Sequence, residues 1–167
     1  MIACWPGKIP AGRVCDEFCT TMDFLPTFAR LAGAELPSHK IDGFDIRPLL
    51  LGEAGAHSPY ESFYYYWANG LDAVRSGPWK LHFPHPYRSL TGEPGQDGNP
   101  AGYTQQTVKA LELYNLDDDI GEKQNVAAEH PEIVAKLKRI ADAARKDLGD
   151  EHTKQTGTGR RPVGRLP

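Results

Sequence analysis

The segment from His130 to Asp150, HPEIVAKLKRIADAARKDLGD, constrains the fold more than any other. Ile133, Val134, Leu137, Ile140, Ala141, Ala144 and Leu148 fall on one stripe of a helix at the i, i+1, i+4, i+7, i+8 spacing, and charged residues occupy much of the remaining surface. Pro131 stands at the first helical position, where its missing N–H costs nothing, Glu132 adds negative charge at the positive end of the helix dipole, and Gly149 supplies the stop. Each large aliphatic side chain on such a stripe gains roughly 1.5 to 3 kcal/mol when fully buried. A helix of this kind needs a second layer to cover it.

Three runs offer that layer. ESFYYYW (61–67), LDAVRSGPWKLHF (71–83) and LELYNL (111–116) are aromatic and β-branched, with Ser76-Gly77-Pro78 as a turn inside the second. Trp79, Leu81 and Phe83 alternate with Lys80 and His82, which puts three large apolar groups on a covered face and two cations on the other. Three or four antiparallel strands under one long helix make a small α+β layer pair. Residues 84–110 hold four prolines and four glycines and show no periodicity, so they read as a long loop, either a functional lid or disordered.

Upstream, Phe24–Ala32 reads as a helix, with Asp23 as its cap, Pro26 in the first turn and Gly33 as the stop. Residues 35–60 are rich in Pro and Gly and look like an ordered crossing between two packed units. Met1–Trp5 is a strand-like apolar run ended by Pro6-Gly7, and a domain seldom opens inside a buried strand, so Met1 is not expected to be the true start. Beyond Asp150, EHTKQTGTGRRPVGRLP is basic, with Arg160, Arg161 and Arg165, and left alone would be a flexible tail.

Composition sets outer limits on function. A net charge of −3 on 167 residues, with 40% apolar and 25% charged residues, suits an ordinary globular chain and excludes nucleic acid as the main partner. No run of 18 apolar residues is present, so no membrane span is expected, and no signal-peptide pattern follows Met1. Three cysteines make no disulfide framework, and Cys15 with Cys19 lacks the further ligands of a zinc site. His82 and His85 supply only two of the ligands zinc needs, and Asp117-Asp118-Asp119 lacks the spacing and closing Glu of an EF-hand loop, which leaves a solvated turn.

WPGKIPAG, MDFLPTFARLAGA, IDGFDIRPLL, AVRSGPWKLHF, LYNLDDDIGEKQNVA and HPEIV occur in this order, and together they resemble the C-terminal part of the arylsulfatase family. The resemblance implies an alkaline-phosphatase-like α/β domain followed by a smaller subdomain of antiparallel strands and a long helix. Residues 1–58 would then be the tail end of the large domain, 59–150 the subdomain, and 151–167 a basic Gly/Pro-rich tail. It also implies a hydrolase of sulfate esters that uses formylglycine, made from the cysteine of a C-x-P-x-R motif, and calcium. Both belong to segments upstream of WPGKI, so this chain would bind neither cofactor, would hold no catalytic residue and would be inactive alone. Its partners would be the missing N-terminal catalytic portion and a sulfated small molecule or glycan.

Cys4-Trp5-Pro6-Gly7-Lys8 imitates that motif, but Lys8 stands where the motif has Arg, and the resemblance makes the WPG string a strand end and turn. An unmodified thiol there has no base or oxyanion donor nearby in sequence. In the family, the loop after the K-x-H-F strand approaches the active-site rim, which makes His85, Tyr87 and Arg88 the candidate substrate-binding residues. Arg88 would pair with a sulfate or carboxylate, Tyr87 would stack on a ring, and His85 would donate a hydrogen bond. Each also has a plainer reading as a surface loop residue. His82 is expected to be a structural strand histidine, Tyr64–Trp67 sheet core, and Glu122 and Asn125 caps for backbone groups in the turn before the long helix. Two rivals stay open: a non-catalytic carbohydrate- or protein-binding module, and a small independent thiol or metal enzyme. The compartment is not encoded here, although the family makes export plausible for the complete enzyme.

Overall fold

The computed structural model describes residues 1–161 other than Thr91 and Pro94. The chain divides into two compact units, Met1–Glu61 and Ser62–Pro167. Arg165, expected in the basic tail, lies outside the described residues.

In the first unit, the strand-like run Met1–Trp5 forms no strand, and Ile2 is 99% exposed. A β-run needs a neighbouring strand for its backbone groups, and this unit contains none among its described residues. The expected turn does form: the N–H groups of Lys8 and Ile9 both donate to the carbonyl of Trp5, at 3.0 and 2.9 Å. Helix α1 (Phe24–Ala32) ends at Gly33, whose φ of 69° is the left-handed conformation that glycine adopts without strain. Asp23 does not cap it. The Thr20 hydroxyl accepts from Met22 N–H at 3.1 Å and so caps a single 3-10 turn, Thr21–Asp23, while the Asp23 carboxylate folds inward. Fully buried, that carboxylate accepts from Thr20 N–H (2.7 Å), Phe44 N–H (2.8 Å) and the Tyr60 hydroxyl (2.5 Å). Buried Thr27 accepts from Ile46 N–H at 3.0 Å, so two polar side chains pin the crossing segment ahead of the short helix α2 (Arg47–Leu51). Met1, Trp5, Phe24, Phe28, Leu31 and Leu50 line an apolar groove of about 300 Å³ in this unit.

In the second unit, β1 (Phe63–Trp67), β2 (Gly70–Ser76), β3 (Trp79–His82) and β6 (Glu112–Asn115) form an antiparallel sheet in the order β1-β2-β3-β6. Helix α3 spans Pro131–Leu148, as the stripe predicts. Leu71, Val74, Leu81, Phe83 and Leu113 meet Leu137, Ala141 and Ala144 in one core. Leu148 departs from expectation and is 38% exposed. It is the last helical residue, where the chain leaves through Gly149, and Arg145 is buried in the last turn instead. The Arg145 guanidinium lies 4.3 Å above the centre of the Phe83 ring, and its Nε donates to the buried Asp150 carboxylate at 2.7 Å.

Two further expectations fail. Residues 84–110 are not a structureless loop: β4 (His85–Leu90) and β5 (Tyr103–Val108) pair as an antiparallel two-stranded sheet. Residues 151–160 are not a free tail, because β7 (Gly149–Asp150) pairs with β8 (Gln155–Thr156) and the chain folds back on the end of α3. Thr158 N–H and Gly159 N–H donate to the carbonyls of Lys146 (3.0 Å) and Asp147 (2.8 Å), two of the groups a helix end leaves unpaired. Glycine permits the approach, since a Cβ on Gly157 would come within 2.3 Å of the Leu148 backbone. Among the described residues, no helix is long and apolar enough to cross a membrane.

Candidate functional site

The face of the sheet away from α3 carries Tyr65, Lys80, His82, Glu112 and Tyr114, brought together by the β1-β2-β3-β6 register. Glu122, from the turn after β6, closes over it. Its Oε1 accepts from Lys80 Nζ at 2.6 Å, and its Oε2 lies 2.9 Å from His82 Nε2. The bond to His82, aided by Lys80 and working against burial, lowers the Glu122 carboxyl to about 2. Lys80 also sits 4.6 Å from the centre of the Tyr65 ring. Burial and the bond to Glu112 push the Tyr114 hydroxyl well above the ordinary tyrosine range. Glu122 is therefore an ion-pair centre and not the backbone cap expected of it. Asn125 does cap: its Oδ1 accepts from Leu113 N–H (3.0 Å) and Ala127 N–H (2.9 Å). Asp119 likewise serves its turn, accepting from Lys123 N–H (2.7 Å) and Gln124 N–H (2.8 Å).

A bulge shapes the neighbouring corner. Tyr65 pairs with Ala73 and Tyr66 with Leu71, which leaves Asp72 without a partner in β1. A bulge re-aims the side chain of its extra residue. The Asp72 carboxylate lies 2.9 Å from His152 Nε2 and 3.9 Å from His85 Nε2. His85 is 7% exposed, and its Nδ1 is 2.7 Å from the Phe83 carbonyl. A carbonyl only accepts, so the ring proton sits on Nδ1 and fixes the tautomer. The His82 and His85 rings stack at 5.6 Å, while His82 Nδ1 is buried without a hydrogen-bond partner among the described residues.

The three sequence-predicted contact residues all lie on β4, but they do not converge. The β4–β5 register pairs His85 with Val108, Tyr87 with Gln106 and Arg88 with Gln105. Because successive strand residues point to opposite faces, His85 and Tyr87 share one face and Arg88 lies on the other. Arg88 instead stands 5.9 Å from the centre of the Tyr103 ring, a residue that sequence reasoning passed over. Asp72 and His152 were passed over too, since neither a bulge nor a returning tail has a periodic signature.

Cys4 and Cys15 are exposed, and burial, with Asp23 close by, pushes the Cys19 thiol up, away from the reactive thiolate. Among the described residues, no group of three or more His, Cys, Asp or Glu side chains converges to hold a metal ion.

Residues 58–163 match the family described as the C-terminal region of aryl-sulfatase. The chain is 38% identical to human arylsulfatase A over 151 residues, covering 83% of this chain and 29% of that protein. It is 34% identical to N-acetylgalactosamine-6-sulfatase of the dog (Canis lupus familiaris), covering 83% of this chain and 28% of that one. Among solved structures, the PsFucS1 sulfatase from Pseudoalteromonas sp. superposes with a TM-score of 0.62 at 25% identity, over 83% of this chain and 28% of its own. The chain thus spans less than a third of the length of each of these relatives.

Proposed function

This chain belongs to the aryl-sulfatase family as its C-terminal region, and we propose that it completes a sulfuric ester hydrolase whose reacting groups stand on a preceding catalytic portion. The observation that carries this reading is the match over residues 58–163, joined to a first unit that leaves an apolar face open. Leu25 and Phe28 of α1 are 54% and 57% exposed, beside the groove lined by Trp5, Phe24 and Leu50. In the complete enzyme that face packs against the rest of the alkaline-phosphatase-like domain, and apolar side chains left in water this way favour such cover.

The family's calcium and formylglycine do not fit the residues described. A hard cation needs several converging oxygen ligands, which the described residues do not assemble, and Cys4 is an exposed thiol followed at the fourth position by Lys8. Both groups belong to the catalytic portion, and this chain alone turns over no sulfate ester. Its part is to shape the substrate rim with the β4–β5 hairpin that carries His85, Tyr87 and Arg88, for a sulfated small molecule or glycan.

The test is a chimera in which this chain replaces the matching C-terminal portion of human arylsulfatase A. We expect it to hydrolyse an aryl sulfate that the truncated enzyme leaves intact, with amide exchange slowed across α1. A chimera that is folded yet inactive, with α1 exchanging as fast as in the separate chain, overturns the reading.

A further inference from the structure

Phe83 holds two partners at a fixed distance from each other. Its N–H donates to the Asp72 carbonyl at 2.9 Å, and its own carbonyl accepts from His85 Nδ1–H at 2.7 Å. The Asp72 carboxylate and the far nitrogen of His85 are thereby turned toward each other but stop short of bonding, with Nε2 and Oδ2 3.9 Å apart. The tautomer accounts for the gap. With its proton on Nδ1, neutral His85 presents a bare lone pair to an anion, and two acceptors do not bond. The other carboxylate oxygen is taken, since Oδ1 accepts from His152 Nε2–H at 2.9 Å. His152 arrives from the segment between β7 and β8, and Gly70 lets it in, because a Cβ there would collide with the imidazole. One carboxylate thus already holds the returning segment, and faces the root of the β4–β5 hairpin without holding it.

From this geometry we infer that Asp72, His85 and His152 form an acid-tightened lock: a proton taken up on His85 Nε2 makes that nitrogen a donor and ties the hairpin to the carboxylate that carries residues 151–156. Imidazole is the side chain that changes charge between about pH 5 and 8, so the contact is made in acid and lost as pH rises through that window. A charge on a ring that is 6% exposed requires a counter-ion, and Asp72 supplies one after a shift of about 1 Å. The other groups around the ring do not compete for this part. His82 of β3 stacks on His85, but its Nε2 is committed to Glu122, which also holds Lys80. A proton on His82 Nδ1 would be stranded, since that atom is buried with no partner among the described residues. Tyr87 of β4 stands 6.1 Å away between ring centres, and on β6 Glu112 accepts from Tyr114. Arg145 of α3, above Phe83, is paired with Asp142 and Asp150.

The test is nuclear magnetic resonance of the nitrogen-labelled 167-residue chain between about pH 5 and 8, and it does not rest on the sulfatase reading. At the upper limit His85 should carry its proton on Nδ1 with Nε2 bare, and at the lower limit both nitrogens should be protonated. Amide protection across β4 and β5, corrected for the pH dependence of exchange itself, should rise about tenfold on acidification, the worth of one charge-assisted bond. Asp72→Asn should abolish the rise. So should His85→Asn, whose amide N–H stands in for Nδ1 toward the Phe83 carbonyl and offers nothing to Asp72. His152→Ala should speed exchange in residues 151–156 while leaving the rise in the hairpin. If Asp72→Asn fails to fold, His85→Asn decides alone. No rise in the parent, a rise that survives in His85→Asn, a proton on Nε2 in place of Nδ1 at the upper limit, or unchanged exchange of 151–156 in His152→Ala overturns the inference.

Discussion

Glu122 reaches back 42 residues in sequence to Lys80, its Oε1 resting 2.6 Å from Nζ, while its second oxygen meets His82. One carboxylate thereby clamps the turn after β6 onto two neighbouring cation-capable side chains of β3. Removing it leaves a half-buried lysine without its counter-ion, which costs more than an exposed pair would.

The clamp should show in acid. The folded-state carboxyl of Glu122 lies at about 2 against an ordinary 4.5, so the unfolded chain takes up the proton first as pH falls. Its contribution is complete above about pH 4.5 and disappears as pH drops toward 2. Allowing for solvent screening of a group that is partly exposed, it amounts to about 1 to 2 kcal/mol. Urea denaturation should find Glu122→Gln less stable than the parent by that amount at neutral pH, with the difference vanishing in the acid window.

At the buried Asp23, the bond donated by Tyr60 spans 2.5 Å, and burial followed by this bond pushes the tyrosine hydroxyl up to about 12. A raised value means that the stabilisation is whole below the ordinary value of 10 and is lost as pH rises through about 12. Ultraviolet titration should show Tyr60 ionising late, along with Tyr114, and Tyr60→Phe should remove one tyrosine from the late phase. Asp23→Ala strands three donors at once and should cost about 3 kcal/mol or more in thermal or urea unfolding of the first unit.

Arg145 and Asp150 form a pair in which the carboxylate is 1% exposed and also accepts from Leu71 N–H at 3.1 Å. Burial opposes ionisation of Asp150, yet Arg145 and two backbone N–H groups hold its carboxyl below the usual range. Arg145→Ala should therefore destabilise the second unit by about 3 to 5 kcal/mol, because it leaves a buried charge uncompensated. Chemical denaturation checks the size of the loss. The double variant Arg145→Met with Asp150→Asn should recover part of it.

The parts legible in the sequence are those where one face is buried and the other wet. The stripe of α3 and the alternation of Trp79, Leu81 and Phe83 announced the helix and the sheet it covers. The β4–β5 hairpin escaped because Tyr87, Arg88, Tyr103, Gln105 and Gln106 are exposed on both of its faces, so no apolar and polar contrast marks its period. Glu122 read as a turn residue because its partners stand some 40 residues upstream. Asp23 read as a cap because a carboxylate before a helix looks the same whether it turns outward to the helix or inward to Phe44 and Tyr60. The three predicted contact residues were expected on a loop, yet they stand on strand β4, where a period of two sets Arg88 apart from His85 and Tyr87.

A C-terminal region that finishes a sulfatase without holding its chemistry, as proposed above, should be inert when it stands alone. The most direct measurement is release of nitrophenol from 4-nitrophenyl sulfate by the purified 167-residue chain, with calcium present. The rate should be no different from buffer and unchanged by Cys4→Ala. Turnover above buffer, lost on Cys4→Ala, would contradict it.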